Sequence, residues 1–292
     1  MTVPSDSQAP ADRDTQQDRA AQRDRDTLRN RDTLRNRHVL ITGASRGIGA
    51  AIAQELGRGG AKLSLLARHL VAHPPAWLDT ELRARCELLE ADVTSLDSIH
   101  RALGQAIRQH GPVHILVNNA GQAESRAIDA VDMAHWNRML AVNLTGSLHC
   151  IRAALPSLRE AASAEYPARI INVASTAGLQ GYPQVSAYVA AKHGLVGLTR
   201  ALALELARQH ITVNAVCPGY TDTALAAQAV ENLVLRAGRS TAEAQAMLTA
   251  RNPQRRLVRP EEVAAAVGWL CHPDSAAVNG QSIVIDGGEV VG

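Results

Sequence analysis

Short apolar runs alternate with longer amphipathic stretches along the chain from Arg37 onward. Such alternation is typical of repeated strand–helix–strand units, in which helices connect the parallel strands of one sheet. Near-continuous apolar runs such as Leu63–Ala67 and Ile115–Val117 indicate strands that are buried on both faces. The pattern predicts seven strands, at His38–Thr42, Lys62–Ala67, Cys86–Ala91, Val113–Asn118, Arg169–Ala174, Thr212–Val216 and Ser282–Ile285.

The stretches between these runs have the three- and four-residue spacing of amphipathic helices. In one of them Leu195, Leu198, Leu202 and Leu206 form a single apolar stripe. Strands and helices together predict an α/β fold, in which residues 38–292 form one Rossmann-like domain with a doubly wound, seven-stranded parallel sheet. The predicted helices are Gly47–Arg58, Leu96–Gln109, Trp136–Leu155, Ser186–Gln209 and Glu261–Leu270.

The first 37 residues differ from the rest, because Asp, Arg, Gln, Thr and Asn dominate them and the hexapeptide at residues 25–30 repeats at 31–36. Too few apolar groups are present to offset the conformational entropy lost when such a segment is ordered. We therefore expect residues 1–37 to form a disordered polar tail. A frayed helix and a misplaced translation start are the alternatives.

Composition and charge exclude several classes of protein. Thirty basic and 28 acidic residues leave a net charge of +2, which is too balanced for a nucleic-acid binder or a polybasic membrane anchor. No apolar stretch of about 18 residues or secretory signal occurs, so we expect no membrane span and a cytoplasmic location. The four cysteines form no C-x-x-C pair and indicate a reducing compartment. His69 and His73 lack further ligands nearby, so we expect no metal site.

The first predicted strand leads into the sequence Thr42-Gly-Ala-Ser-Arg-Gly-Ile-Gly49, and an Ala-rich helix follows. Small residues let the backbone turn sharply and approach a pyrophosphate, while amide groups at the helix start face the anion. A glycine triplet between a first strand and a helix therefore predicts a dinucleotide site. Its predicted contact residues are Gly43, Ser45, Arg46, Gly47, Ile48 and Gly49.

The second predicted strand ends in Leu66-Ala67-Arg68, without an acidic residue. In this type of fold an acid at that point usually binds the adenosine ribose hydroxyls, whereas a nearby Arg accommodates a 2′-phosphate. Arg46 and Arg68 could both reach that phosphate, so we predict NADP(H) in preference to NAD(H). The alternative is that both are ordinary solvated arginines of an Arg-rich chain.

Tyr188 and Lys192 are four residues apart on a predicted helix and therefore lie on one face. A free tyrosine has a pKa near 10. A fixed cation nearby would stabilise the phenolate and lower that pKa, as a proton donor to a carbonyl oxygen requires near neutral pH. The pair combines one of four tyrosines with one of two lysines, and Ser175 ends the fifth predicted strand thirteen residues upstream of Tyr188.

A series of motifs in this order makes residues 37 to about 290 resemble the short-chain dehydrogenase/reductase family. After the glycine turn come Asp92-Val93, then Asn118-Asn119-Ala120-Gly121 at the end of the fourth strand, then Asn143. The resemblance implies that Asn143, Ser175, Tyr188 and Lys192 are the catalytic residues. It also implies a cofactor site that Tyr188 and Lys192 share with Arg68, Asp92, Val93, Asn119, Ala120, Gly121, Pro218, Gly219, Thr221 and Thr223.

In this resemblance Ser175 would bind the substrate carbonyl, Tyr188 would donate its proton to the developing alkoxide, and Asn143 would position a water. Lys192 would hold the nicotinamide ribose and lower the Tyr188 pKa. The cofactor brings the hydride, so the protein supplies orientation and charge stabilisation. The opposing hypothesis is a catalytically silent dinucleotide-binding scaffold.

A long insertion from Tyr220 to about Val258 and the segment Leu179–Val185 predict a helical lid over a small-molecule carbonyl or alcohol substrate. The insertion is rich in arginine, which suits the phosphates of coenzyme A or of an acyl carrier protein. The core resembles 3-oxoacyl-thioester and acetoacetyl-CoA reductases, while a polyol, sugar, steroid or polyketide ketone is the alternative. The family resemblance also implies a homotetramer or homodimer. The lid arginines are Arg236, Arg239, Arg251, Arg255, Arg256 and Arg259.

Overall fold

The computed structural model describes residues 33–71, 74–238 and 240–290. Residues 1–32 of the predicted tail, together with His73 and Arg239, lie outside the described residues. In the described part, no helix is long and apolar enough to cross a membrane.

A sheet of seven parallel strands forms the centre of the described chain. The strands are β1 (His38–Thr42), β2 (Lys62–Ala67), β3 (Cys86–Glu90), β4 (Ile115–Asn118), β5 (Ala168–Val173), β6 (Ile211–Pro218) and β7 (Ser282–Ile285). Their order is β3-β2-β1-β4-β5-β6-β7, so the direction of winding reverses between β1 and β4. The carboxyl ends of these two strands flank a crevice, which is where open α/β sheets bind ligands.

Helices cover both faces of the sheet and confirm the predicted doubly wound fold. The helices are α1 (Gly47–Arg58), α2 (Thr80–Arg83), α3 (Leu96–His110), α4 (Met133–Leu140), α5 (Gly146–Ala161), α6 (Ser186–Leu206), α7 (Ala224–Ala237), α8 (Thr241–Thr249) and α9 (Pro260–Cys271). One core cluster buries the apolar faces of α1 and α9, and a second buries those of α3, α5 and α6. Aliphatic residues and alanine make up nearly all of both clusters, as the lack of Phe requires.

The helix predicted at Trp136–Leu155 is divided in the structure. A π-helical turn, Ala141–Thr145, separates α4 from α5 and contains the fully buried Asn143. The Asn143 Nδ2 donates to Met139 O at 2.9 Å. Such single-turn insertions occur mostly at functional sites. Apolar periodicity does not reveal them, because the pattern on each side continues unchanged.

The packed chain begins before the boundary predicted at residue 38. Residues 33–36 form a turn, in which Leu34 is 5% exposed and packs into the core. The Leu34 N–H donates to Gly59 O at 2.9 Å. Leu34, from the second copy of the repeat, therefore anchors this turn to the core.

The insertion between β6 and α9 is helical, as predicted, and is fixed at both ends. Thr221 and Val258 form a parallel bridge. The N–H of Asp222 donates to Val258 O at 2.8 Å, and the N–H of Val258 donates to Tyr220 O at 2.9 Å. The two helices α7 and α8 are thus carried on one closed base beside the carboxyl ends of the strands.

Candidate active site

The turn between β1 and α1 has a backbone that requires glycine. Gly43 and Gly47 have φ angles of +67° and +58°, which L side chains rarely adopt. A Cβ on Gly49 would collide with the carbonyl oxygen of Gly43. No side chain caps α1 at Arg46, so the first N–H groups of the helix are available to an anion. This cradle fits the pyrophosphate of a dinucleotide.

Asn119 ties the end of β4 to the glycine turn. Its Nδ2 donates to the carbonyl oxygens of Thr42 and Gly43, both at 3.0 Å. The Thr42 Oγ1 in turn accepts from the N–H groups of Asn119 and Ala120 at 3.0 Å. The predicted cofactor residue Asn119 therefore also holds the shape of the crevice.

The end of the crevice near β2 and β3 carries the residues predicted to bind the adenosine. Arg46 and Arg68 are exposed. Hydrogen bonds from Thr94 lower the pKa of the Asp92 carboxyl, and Arg68 lowers it further. Trp77, which the sequence analysis missed, donates from Nε1 to Ser45 O at 3.1 Å. Two cations beside the turn, with no acid directly after β2, fit a dinucleotide with a 2′-phosphate.

Thr223 connects the two ends of the crevice. Its Oγ1 donates to Thr221 O at 3.2 Å, and its Cγ2 would lie 3.2 Å from a Cβ on Gly47. Thr221 Oγ1 donates to Gly219 O at 3.0 Å. The segment that follows β6 therefore lies against the glycine turn, as the predicted shared cofactor site requires.

The predicted catalytic residues converge beyond the carboxyl end of β5. Ser175 follows this strand, and Tyr188 and Lys192 lie in the first turns of α6. The Tyr188 phenol lies near enough to the Ser175 hydroxyl for this neighbour to lower its pKa. Lys192 is 4% exposed, its Nζ donates to Val173 O at 2.8 Å, and Nζ lies 5.7 Å from the centroid of the Tyr188 ring.

Burial dominates the electrostatics of the pair and corrects one prediction. Burial raises the pKa of Tyr188 to about 12, although the Ser175 hydroxyl opposes the rise. The pKa predicted from the sequence lay below the ordinary value, because that reasoning counted the nearby cation and omitted desolvation. Burial also lowers the pKa of Lys192 to about 8. The Tyr188 phenol is therefore protonated at neutral pH, and Lys192 keeps most of its charge there.

Asn143 approaches the same point from the π-helical turn. Its Oδ1 accepts from the Gln122 N–H at 3.1 Å, and its Nδ2 donates to Gln122 O at 2.9 Å. A Cβ on Gly121 would lie 3.0 Å from Asn143 Oδ1 and 3.8 Å from Lys192 Nζ. Because both Nδ2 hydrogens are used within the protein, Asn143 can contact a water only through Oδ1.

A polar cluster beside these residues was not found from the sequence. The Tyr182 hydroxyl donates to Glu289 Oε1 at 2.6 Å, and Gln180 Nε2 donates to the Tyr182 oxygen at 2.7 Å. The guanidinium of Arg251 lies 5.1 Å from the centroid of the Tyr182 ring. Glu289 is 107 residues from Tyr182 in the chain, so no local pattern could reveal this contact.

Of the predicted lid arginines, Arg255, Arg256 and Arg259 line one recess, which Arg251 does not line. Arg256 and Arg259 both pair with Glu262, at 2.7 and 3.3 Å, and Arg255 donates to Ala250 O at 3.0 Å. Arg251 alone among the described ones lies against the segment predicted to line the substrate site. The side chain of Arg236 lies outside the described residues, as Arg239 does.

Comparison with known proteins agrees with this geometry. A family model described as enoyl-(acyl carrier protein) reductase matches residues 43–289. The rhamnolipids biosynthesis 3-oxoacyl-[acyl-carrier-protein] reductase of Pseudomonas aeruginosa is 36% identical over 251 residues, covering 85% of this chain and 94% of its own.

A D-beta-hydroxybutyrate dehydrogenase of Rhizobium meliloti is 34% identical over 269 residues, covering 85% of this chain and 96% of its own. Among solved structures, a variant of actinorhodin polyketide ketoreductase with NADPH superposes with a TM-score of 0.79 at 38% identity. That alignment covers 87% of this chain and 97% of the ketoreductase.

Proposed function

The chain is an oxidoreductase of the short-chain dehydrogenase/reductase family, and on that premise we propose that it interconverts a ketone and a secondary alcohol with NADP(H), using Tyr188 as acid and base. The observation that carries the proposal is the convergence of Tyr188, Ser175 and Lys192 beyond β5. A silent scaffold would have no need to bury a lysine at that point, since burial of an ammonium is costly.

The cofactor supplies a hydride when bound. The Ser175 and Tyr188 hydroxyls hydrogen-bond to the substrate carbonyl oxygen and stabilise the charge that develops there. Tyr188, whose phenol is protonated at neutral pH, then gives its proton to that oxygen as negative charge develops on it. The Lys192 ammonium stabilises the phenolate that remains. Asn143 would position, through its Oδ1, the water that returns a proton.

The proposed preference for NADP(H) rests on Arg46 and Arg68. Both are exposed beside the glycine turn, and guanidinium groups bind phosphate well. A binding titration should give an affinity for NADPH at least about tenfold higher than for NADH, since two charge-assisted contacts to the 2′-phosphate contribute more than 1.4 kcal/mol. Equal affinities would contradict the preference.

For the substrate we propose a 3-oxoacyl thioester of coenzyme A or of a carrier protein. The reductase of Pseudomonas aeruginosa is named for such a substrate, and Arg251 places a cation beside Tyr182. We expect acetoacetyl-CoA to be reduced with a higher kcat/KM than ethyl acetoacetate. In R251M the kcat/KM for acetoacetyl-CoA should fall relative to that for ethyl acetoacetate. R152M is the matched control, because Arg152 is exposed on α5, outside the lid.

Higher efficiency on polyols, steroids or cyclic polyketide ketones would instead support the alternative substrates. No turnover of any carbonyl compound would support the silent scaffold.

We also propose a homotetramer or homodimer in the cytoplasm. Leu204 on α6 is 84% exposed and Met133 at the start of α4 is 67% exposed. A subunit contact on these two helices would remove both apolar side chains from water, which favours association. Light scattering should give a multiple of the 31.1 kDa chain mass, and L204E should reduce it. A monomeric wild type would contradict the proposal.

A further inference from the structure

A recess lies at the amino ends of β4 and β5, on the opposite edge of the sheet from the candidate active site. Arg37, His114, Tyr166, Arg169 and Cys271 line it, and its cavity volume of about 20 Å³ leaves room for one small group only. Because β5 has six residues, about 20 Å of strand separates this recess from Ser175. The catalytic mechanism uses none of its residues.

Arg169 is a buried cation that has no counter-ion among the described residues. It is 3% exposed, and within that part of the chain its Nε and Nη1 have no hydrogen-bond partner. Only Nη2 donates, at a long 3.4 Å, to His272 O. No carboxylate of the described residues lies within 4 Å of this guanidinium.

The charge of Arg169 cannot be removed by the protein itself. A guanidinium does not deprotonate in proteins, and an uncompensated buried charge is strongly destabilising. The neighbouring Cys271 is not a counter-ion, because burial raises the pKa of its thiol to about 12. Arg37 adds a second cation to the recess, with its guanidinium 4.0 Å from the centroid of the Tyr166 ring.

We propose that the recess binds one small carboxylate-type anion, held by Arg169 and Arg37. Charge-assisted bonds from a guanidinium to a carboxylate are among the strong hydrogen bonds of proteins. Two sources offer this chemistry. One is a free anion such as acetate. The other is one of the seven aspartates of residues 1–32, which precede Thr33, a residue that lines the recess.

Thermal unfolding of the full chain in sodium acetate tests the proposal, with gluconate, which is too bulky for the recess, keeping the ionic strength constant. A free-anion site predicts that acetate raises the Tm of the wild type along a saturable curve. In R169M the half-saturating acetate concentration should rise by at least about tenfold, since bonds to charged groups are worth 1.5–3 kcal/mol. R152M, which removes an exposed arginine from α5, should respond like the wild type.

If an aspartate of residues 1–32 occupies the recess, the opposite response to acetate is expected. The wild type should then ignore acetate, whereas a full-length variant with the seven aspartates changed to Asn should have a lower Tm and gain the acetate response. The loss of Tm should disappear in the R169M background, because both changes remove the same interaction. If neither the wild type nor the Asn variant responds to acetate, the proposal is overturned, and this result does not require that R169M folds. None of these measurements depends on the proposed enzymatic function.

Discussion

Replacement of Lys192 by Met should stabilise the protein while it removes activity. The lysine is 4% exposed, and burial moves its pKa from 10.5 to about 8. This change corresponds to a cost of about 3 kcal/mol for holding the ammonium, at about 1.4 kcal/mol for each pH unit. Loss of the hydrogen bond to Val173 O destabilises the variant by about 1 kcal/mol. K192M should therefore raise the free energy of unfolding at pH 7 by about 2 kcal/mol.

The size of this stability difference depends on pH. Between pH 8 and 10.5 the folded wild type binds fewer protons at Lys192 than the unfolded chain does, so its stability rises with pH. K192M lacks this rise, so it should no longer be more stable than the wild type at pH 10.5. Turnover by K192M should fall by about a hundredfold or more, because the phenolate of Tyr188 loses its stabilising charge.

Urea unfolding of K192M and of the wild type at pH 7 and at pH 10.5 measures the stability difference and its dependence on pH. A steady-state assay of both proteins measures the loss of turnover. K62M replaces the other lysine of the chain, which is only half-buried, and controls for the general effect of removing a positive charge. A K192M protein that is less stable than the wild type at pH 7, or one whose difference from the wild type is the same at both pH values, would refute the reasoning.

Three further changes should have measurable effects. G49A should weaken NADPH binding in a fluorescence titration by at least about tenfold, since the added Cβ collides with Gly43 O; unchanged affinity would contradict the described turn. Burial lowers the pKa of His38 to about 4, so about 3 kcal/mol of stability should be lost as pH falls from 6.5 towards 4, and H38Q should flatten this dependence in urea unfolding. Y182F removes the donor to Glu289 and should raise KM more than it lowers kcat in steady-state assays; unaltered kinetics would mean that this contact does not shape the substrate site.

The sheet and its helices could be predicted because burial on both faces leaves uninterrupted apolar runs. The runs at β1, β2 and β7 match the structure at both ends. The glycine turn could be predicted as well, since a positive φ and a close approach leave few alternatives to glycine. These features depend on local chemistry, which the order of residues records directly.

Features that depend on distant residues could not be predicted. The contact between Tyr182 and Glu289 joins two segments that meet only in the folded chain. Arg251 lies against the Tyr182 ring, whereas three other lid arginines line a separate recess. The pKa of Tyr188 was predicted in the wrong direction because desolvation depends on tertiary packing. The π-helical turn at Asn143 leaves the apolar spacing around it unchanged.

The most direct test of the proposed mechanism compares the wild type with Tyr188→Phe in two assays on the same samples. One is the oxidation of NADPH with acetoacetyl-CoA, and the other is the binding of NADPH without substrate. We expect Y188F to bind NADPH as the wild type does and to lose at least about a thousandfold in kcat, since its ring has no proton to donate. Turnover by Y188F at a rate near that of the wild type would contradict the role of Tyr188 as the acid and, with it, the proposed function of the site.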